Sequence, residues 1–142
     1  RHRRELNARL QEAFLAKTVG CSVLVPAHDG EPEYSCAPGT PLVGSCTGRG
    51  FVNGAFYKVT EVGHEIIRVL DCLTKETIEC PGELLAKHTC LGRSVVYNRA
   101  QGLSIDDQIV CLHDLSSRYC RRAHLYVGLS RVTDGKNIRI AR

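Results

Sequence analysis

The segment AHLYVGLSRV, residues 123–132, ends its apolar helical pattern on an arginine, Arg131. Positive charge is also concentrated in this part of the chain. Residues 91–142 carry nine Lys and Arg against four Asp and Glu, whereas residues 1–90 carry ten against eleven. This asymmetry directs any anionic partner, a nucleotide or a nucleic acid, to the C-terminal third. The alternatives are a solvated basic face and, for Arg131, a cation that interacts with the helix dipole for less than about 1 kcal/mol.

A phosphate-binding loop of the form Gly-x-x-x-x-Gly-Lys-Ser/Thr does not occur in the sequence. GTPLVGS, residues 39–45, comes nearest but lacks the lysine, and GSCTGRG has the wrong spacing. IVCLHD and IIRVLD each end in one aspartate rather than in the paired acids that would hold magnesium, and a strand followed by a turn explains both. The chain therefore has no complete catalytic phosphate site of its own.

Eight cysteines are spread along the chain without a Cys-x-x-Cys pair. Zinc sites usually contain paired ligands a few residues apart, and no second pair complements the close pair formed by His88 and Cys90. Several cysteines lie in apolar runs such as IVCL, where the side chain behaves as a small hydrophobe. We predict reduced, mainly structural cysteines and no metal site, with a structural zinc module as the weaker alternative.

The chain is long enough to bury one ordinary core with a small additional lobe, since it has 142 residues, 43% of them hydrophobic. Residues 2–17 have the spacing of an amphipathic helix. SVLVPA, residues 22–27, predicts a strand, and the Gly- and Pro-rich stretch after it predicts a long loop. No run of eighteen apolar residues occurs, so we expect no membrane segment.

Between residues 42 and 90 the pattern changes to short strands separated by turn residues. Asn53 and Gly54 form the strongest hairpin signal in the chain. The spacing predicts a small antiparallel, barrel-like lobe of about fifty residues, too small to be very stable alone. The predicted strands are FYKVTEV, EIIRVLD, TIEC and ELLAKHTC.

An α/β pattern returns at residue 94. SVVY and QIVCL predict strands, and the four adjacent apolar residues of the second indicate burial on both faces. SSRYCRRAHLYVGLSRV predicts a helix capped by its serines, and NIRIA, residues 137–141, predicts a closing strand. We therefore predict an α/β fold in which one sheet domain carries an inserted β lobe.

Two segments of the C-terminal third resemble motifs V and VI of superfamily 1 DNA helicases. YNRAQGLSID, residues 97–106, resembles motif V, and LYVGLSRV, residues 125–132, resembles motif VI. The likeness is to the RecD-like and herpesvirus helicase–primase branch. RRELNARL, with Asn7, resembles the helix that opens the second motor domain of that branch. GRGFVNGAFYKVTEV resembles the hairpin that leads into its SH3-like lobe.

The resemblance implies a RecA-like motor domain, a partly parallel sheet flanked by helices, formed by residues 1–20 and 91–142. Residues 21–90 would form the inserted SH3-like β-barrel lobe and its connecting loop. The chain would be the C-terminal part of an ATP-dependent DNA helicase whose N-terminal RecA-like domain binds most of ATP and Mg²⁺. The sequence contains no methionine even at its first position, which also indicates a piece of a longer protein. We expect this piece alone to be inactive as an ATPase.

The resemblance also implies a nucleotide-binding role for three residues. Arg131 would be the arginine finger that reaches the γ-phosphate from across the cleft, where such residues contribute about 10³–10⁵ in rate. A planar guanidinium stabilises the developing charge better than a lysine would. Gln101 and Gly102 would lie near the phosphates, since a glycine permits close approach of the backbone.

Single-stranded DNA is the partner that the other motif positions imply. Asn98, Arg99 and Ser104 occupy DNA-facing positions of motif V, although Asn98 replaces the usual histidine. Ordinary turn chemistry is the alternative for each of these polar residues. Asn53 would place the β lobe over the DNA strand, or would simply form a turn. The aromatic residues near it could stack on bases or fill the core of the lobe: Phe51, Phe56 and Tyr57.

The alternative function is a free-standing nucleic-acid-binding module that keeps a helicase-like fold without ATPase activity. A phosphate loop and an Asp-Glu strand upstream of Arg1 would decide for the helicase. The helicase interpretation also implies an intracellular, non-secreted protein, located in the nucleus or at a site of viral or mobile-element DNA replication. Its partners would then include subunits of a replication complex.

Overall fold

The computed structural model of the chain describes residues 2–100, 109–113 and 115–141. The chain divides into two units, Arg1–Ser94 and Val95–Arg142. The first unit contains two sheets and the second unit one, among the described residues. The described helices include none that is long and apolar enough to span a bilayer. The boundaries predicted for the motor domain and the inserted lobe stay a prediction.

The first unit begins with helix α1, His2–Leu15, as the helical spacing predicts. Its buried face carries two amides one turn apart, Asn7 and Gln11, which are 3% and 2% exposed. Asn7 Nδ2 donates to the carbonyl oxygens of Leu91 and Ser94, and Ser94 N–H donates to Asn7 Oδ1 at 2.6 Å. A buried amide without partners would cost about 1–3 kcal/mol. These hydrogen bonds therefore fix α1 against the last residues of the unit.

The strands of the first unit form two antiparallel sheets. β1 (Val23–Val25) pairs with β2 (Tyr34–Cys36). Five further strands form one sheet in the order β6-β5-β4-β3-β7. They are β3 (Pro41–Gly44), β4 (Phe56–Val62), β5 (Ile67–Asp71), β6 (Thr77–Cys80) and β7 (Thr89–Leu91).

Alternate side chains of β4 and β5 form the centre of the core. Tyr57, Val59, Ile67 and Val69 are at most 2% exposed, whereas Lys58, between the first two, is exposed. Burial of such apolar side chains stabilises the fold by roughly 1.5–3 kcal/mol each. The strands predicted from FYKVTEV and TIEC are confirmed to the residue, because their period-two pattern is the pattern by which they pack.

The predicted strand ELLAKHTC is wrong over most of its length, because Gly82–His88 form helix α2. Pro81 stands directly before this helix, and its carbonyl oxygen accepts from Leu85 N–H at 3.1 Å. A proline is tolerated at a helix start, where its missing N–H would have no partner in the helix. Only the last residues of the run extend into β7. A short apolar run has no period that separates a strand from a buried helix.

The five-stranded sheet is open, rather than the predicted closed barrel, as far as the described strands go. β6 and β7 lie at its two edges and do not pair with each other. The connection between them is the reason, since α2 leads from the end of β6 to β7, which pairs with β3. The prediction of antiparallel strands is confirmed, and the SH3-like nature of the lobe stays a prediction.

The second unit contains a parallel pair of strands and two helices. β8 (Val110–Leu112) pairs in parallel with β9 (Ile138–Ile140), and a short 3₁₀ helix precedes β9. Helix α4, Arg122–Leu129, lies between these strands in sequence, and α3, Tyr97–Ala100, lies before β8. Parallel strands joined through a helix are typical of α/β folds. The predicted α/β class is thereby confirmed, and the RecA-like domain with a partly parallel sheet stays a prediction.

Two boundaries in the second unit differ from the prediction. The strand predicted at SVVY is wrong, since 94–96 form no strand and Tyr97 begins α3. The helix predicted from the serines begins only at Arg122. Ser117 Oγ instead accepts from Tyr119 N–H at 3.3 Å. A serine that is bonded within its own turn in this way is not available to cap a helix.

Candidate functional site

Gly128 brings helix α4 into close contact with β8 and with the start of α3. It is the buried residue of this helix. A Cβ at this position would lie 2.9 Å from Leu112 Cδ2 and 3.0 Å from Tyr97 Cε1. Real Cβ atoms essentially never approach other atoms so closely, so a side chain here would require Leu112, the Tyr97 ring or the helix to shift. The glycine therefore sets the distance between the motif VI-like helix and the motif V-like residue Tyr97.

Tyr97 is held at both ends of its side chain. Its hydroxyl donates to the carbonyl oxygen of His113, directly after β8, at 3.0 Å. Its ring stacks on the ring of His124, with 5.8 Å between centroids and an interplanar angle of 11°. Since Tyr97 is the first residue of α3, these contacts fix the start of the motif V-like segment against α4.

His124 lies in the first turn of α4 and also caps the N-terminal end of the helix. The backbone N–H of Arg121 donates to His124 Nδ1 at 3.2 Å. The histidine thereby replaces the serine cap that the sequence predicts.

Arg131 follows the last turn of α4. Its N–H is 3.4 Å from the carbonyl oxygen of Gly128, and Ser130 N–H donates to the carbonyl oxygen of Tyr126 at 2.9 Å. The side chain is half-buried, and its Nη2 and Nε donate to Ser130 Oγ at 3.0 and 3.3 Å. The guanidinium is thus directed by its neighbour at the C-terminal end of the helix, where the helix dipole also favours a positive charge.

The second unit exposes a basic surface. Asp134 is half-buried and forms an ion pair of 2.6 Å with Lys136. This contact lowers the pKa of the Asp134 carboxyl, through the side-chain and backbone hydrogen bonds from Lys136. Exposed cations attract polyanions over about a Debye length. Among the described residues of this unit they are Arg99, Arg118, Arg121, Arg122, Lys136 and Arg139.

Asn53 lies in a turn of the first unit, between β3 and β4. Ala55 N–H donates to the carbonyl oxygen of Val52 at 3.1 Å, and Gly54 has a φ of +83°. A glycine with positive φ at the third position is what a type II turn requires. Asn53 is exposed, and its N–H donates to Thr47 Oγ1 at 3.2 Å. The predicted turn is confirmed, within a loop longer than a two-residue hairpin.

The aromatic residues near this turn belong mainly to the core. Phe51 and Tyr57 are each 1% exposed, and their rings meet edge to face at 5.2 Å. The Tyr57 hydroxyl accepts from Val52 N–H at 2.8 Å. Burial raises the pKa of this phenol. Both residues are therefore closed to base stacking, and only the half-buried Phe56 retains accessible surface.

The other predicted site residues fall in or near α3. Arg99 lies on α3 with an exposed side chain. Asn98 lies on the same helix, and its side chain is outside the described residues. Gln101, Gly102 and Ser104 also lie outside them. Arg99 and Arg131 belong to the second unit and Asn53 to the first.

Three residues of this arrangement were not singled out as site residues by the sequence. They are Tyr97, His124 and Gly128, and their contacts with one another span the two motif-like segments. Only Gly128 carried a signal, because an isolated glycine inside a helical pattern often marks a close approach. The stack joins Tyr97 and His124, which are far apart in sequence. A local sequence pattern cannot reveal a contact between such distant residues.

The cysteines are free thiols in the structure. Burial raises the pKa of the Cys36 and Cys80 thiols to about 11 each, so both stay protonated and unreactive at neutral pH. Cys46 Sγ lies 3.1 Å from His88 Nδ1. Within the described ranges, no group of three His, Cys, Asp or Glu side chains converges on a possible metal position.

Comparison with solved structures shows that this fold resembles part of the fold of Pif1 helicases. No family model matches the sequence, and no curated protein matches it. Solved structures of Pif1 helicases do match, and they cover most of the chain. At sequence identities of 15 to 17%, this likeness concerns the fold.

One matching structure is the Pif1 helicase from Bacteroides in complex with ADP-AlF₃ and single-stranded DNA, with a TM-score of 0.62 and 15% identity over 94% of this chain. A second is Bacteroides Pif1 bound to single-stranded DNA, with a TM-score of 0.60 and 16% identity over 94%. A third concerns two coordinating Pif1 helicases in DNA unwinding at forked double-stranded DNA, with a TM-score of 0.60 and 17% identity over 93%. The chain spans 35 to 38% of those chains.

Proposed function

We propose that this chain forms the second RecA-like motor domain, with an inserted SH3-like lobe, of an ATP-dependent DNA helicase of superfamily 1. The observation that carries the proposal is the contact of Tyr97 with α4, which joins the motif V-like and motif VI-like segments in a chain whose fold resembles that of Pif1 helicases. Two segments that resemble neighbouring helicase motifs in sequence also pack together in space. The sequence motifs favour the RecD-like and herpesvirus branch.

In this proposal Arg131 is the arginine finger. Its half-buried guanidinium is directed by Ser130, so it would lose little freedom when a phosphoryl group accepts its hydrogen bonds. Most contacts to ATP and Mg²⁺ would come from an N-terminal RecA-like domain of the same protein. Gln101 and Gly102 would contribute to the phosphate site from this side.

Single-stranded DNA is the proposed nucleic-acid partner. Arg99, exposed on α3, would bind a backbone phosphate, and Asn98 and Ser104 would contribute polar contacts. The exposed turn at Asn53 would bring the lobe onto the strand. Action at an intracellular site of DNA replication, in the nucleus or in a viral or mobile-element context, and contact with replication proteins follow from the same proposal.

The proposal is tested by Arg131→Ala in the full-length protein. Loss of the finger removes charge stabilisation in the transition state, so kcat for ATP hydrolysis should fall at least about a hundredfold. The dissociation constant for single-stranded DNA should stay unchanged. Arg139→Ala, which removes an exposed arginine of β9, is the matched control and should retain wild-type turnover. An Arg131→Ala protein with near wild-type kcat would contradict the assignment.

A free-standing nucleic-acid-binding module is the second candidate, and the exposed arginines and lysine of the second unit favour it. It shares the predicted affinity for single strands but requires no nucleotide. The two candidates separate in one assay, because only the helicase hydrolyses ATP in the full-length protein with DNA present. Absence of hydrolysis together with retained DNA binding would decide for the module.

A further inference from the structure

The contacts of Tyr97 extend to both ends of α4. Its ring stacks on His124 in the first turn and lies against Gly128 in the last turn. These two residues are one helical turn apart, so they share a face of α4. The Tyr97 hydroxyl is bonded in addition to the carbonyl oxygen of His113 at 3.0 Å. The Tyr97 side chain thus connects α4 to the end of β8.

The same residue begins α3, the helix that carries Asn98 and Arg99. On the α4 side of the contact, Arg131 follows Gly128 by three residues. The Arg131 N–H is 3.4 Å from the Gly128 carbonyl oxygen. The interface between them has no spare room, since even a Cβ on Gly128 would lie 3.0 Å from the Tyr97 ring. In so close a contact, a shift of Tyr97 with α3 would be passed on to α4.

The geometry points to Tyr97 as a positioning residue that transmits DNA binding at Asn98 and Arg99 to the finger, Arg131. This inference rests on the proposed function and adds the residue that links its two sites. Tyr97 touches neither phosphate nor DNA in this role and acts through the place it gives to α4. Binding of DNA to α3 would change the equilibrium position of Arg131, which is the differential contact that any such linkage requires.

The test is Tyr97→Leu in the full-length protein, because leucine keeps an apolar side chain but loses both the stack and the hydroxyl. The kcat for ATP hydrolysis at saturating single-stranded DNA should fall about tenfold, the size of an ordinary linkage between sites. The KM for ATP and the dissociation constant for DNA should stay within about threefold, since neither ligand touches Tyr97. Tyr97→Phe keeps the ring and should recover most of the turnover.

Tyr119→Leu is the matched control, because it makes the same exchange at an exposed tyrosine of the same unit. It should leave all three constants unchanged. A Tyr97→Leu protein with wild-type kcat, or one whose KM for ATP rises while kcat is retained, would overturn the inference. If the wild type itself hydrolyses no ATP, the proposed function fails and the inference fails with it. Activity in the wild type with no effect of Tyr97→Leu removes the inference alone.

His124→Leu removes the stack from the other side and provides a second test if Tyr97→Leu does not fold. It should lower kcat by a similar factor. In the double variant Tyr97→Leu/His124→Leu the fall should be clearly smaller than the product of the two single falls, because both variants remove the same stack. Independent, multiplicative losses would show that the stack does not connect the two sites.

Discussion

Two arginines of the second unit differ in their surroundings, and the difference suits their proposed roles. Arg131 is half-buried and donates to Ser130 Oγ, whereas Arg99 is exposed on α3. Stabilisation of a transition state requires a donor that is already in place. A phosphate contact along a moving DNA strand requires only a positive charge within reach. Residue identity alone does not distinguish the two proposed roles, whereas the burial of the two side chains differs.

The role of Arg99 is tested by the salt dependence of DNA binding. Arg99→Ala should weaken binding of a single-stranded oligonucleotide, and the slope of log K against log salt concentration should decrease by about one. Arg68→Ala is the control, because its guanidinium is already bonded to Glu61 and Glu79 of the first unit. An Arg99→Ala protein with the wild-type slope would argue against a phosphate contact.

At the scale of elements, α4 depends on one glycine for its place against the sheet. Its face toward β8 has Gly128 at the point of closest approach, next to Leu112 and the Tyr97 ring. The ring cannot move aside easily, because the hydroxyl and the stack on His124 hold it. A side chain at position 128 would therefore crowd Leu112 of β8 and the Tyr97 ring.

Gly128→Ala should destabilise the protein for this reason. Overpacking costs about 1–3 kcal/mol, and the better helix propensity of alanine returns up to about 1 kcal/mol, so the net loss in the free energy of unfolding should be about 1 kcal/mol. Gly135→Ala is the control, since a Cβ there would meet nothing within 4 Å. Denaturant unfolding measures both variants. A Gly128→Ala protein as stable as the control would mean that α4 is free to move outward.

Helix α1 shows a different way of fixing an element. The amides Asn7 and Gln11 are buried on it, and they bond to groups distant in sequence. Gln11 Nε2 donates to the Ser35 carbonyl oxygen at 2.9 Å and to Thr40 Oγ1 at 3.0 Å, and Gln11 Oε1 accepts from Arg93 Nε at 2.7 Å. Apolar burial would tolerate small slips of the helix, but these bonds require one register.

At the scale of the whole molecule, the sequence predicted the elements whose pattern is local. β4 and β6 were correct to the residue, because alternation of buried and exposed side chains is read directly from the chain. The helix Gly82–His88 was missed, because its three adjacent apolar residues fit a strand and a helix equally. The open sheet was missed for a related reason, since closure depends on which edges meet and not on any single strand.

The candidate site was predictable only in part. Motif-like segments identified Arg131 and Arg99 by position, as residues that carry charge. They could not identify Tyr97, whose importance comes from contacts with His113, His124 and Gly128 across the fold. Side-chain packing between distant segments is a property of the folded chain, and a single sequence holds no pattern for it.

Arg131 is proposed to stabilise the charge of a phosphoryl group during its transfer. The affinity of the protein for a transition-state mimic measures this stabilisation. ADP with aluminium fluoride should bind the full-length protein more tightly than ADP alone, and Arg131→Ala should reduce that preference about a hundredfold. The affinity for ADP alone should not change, because ADP lacks the group that the finger contacts. An Arg131→Ala protein that keeps the wild-type preference for ADP–aluminium fluoride over ADP would contradict the account.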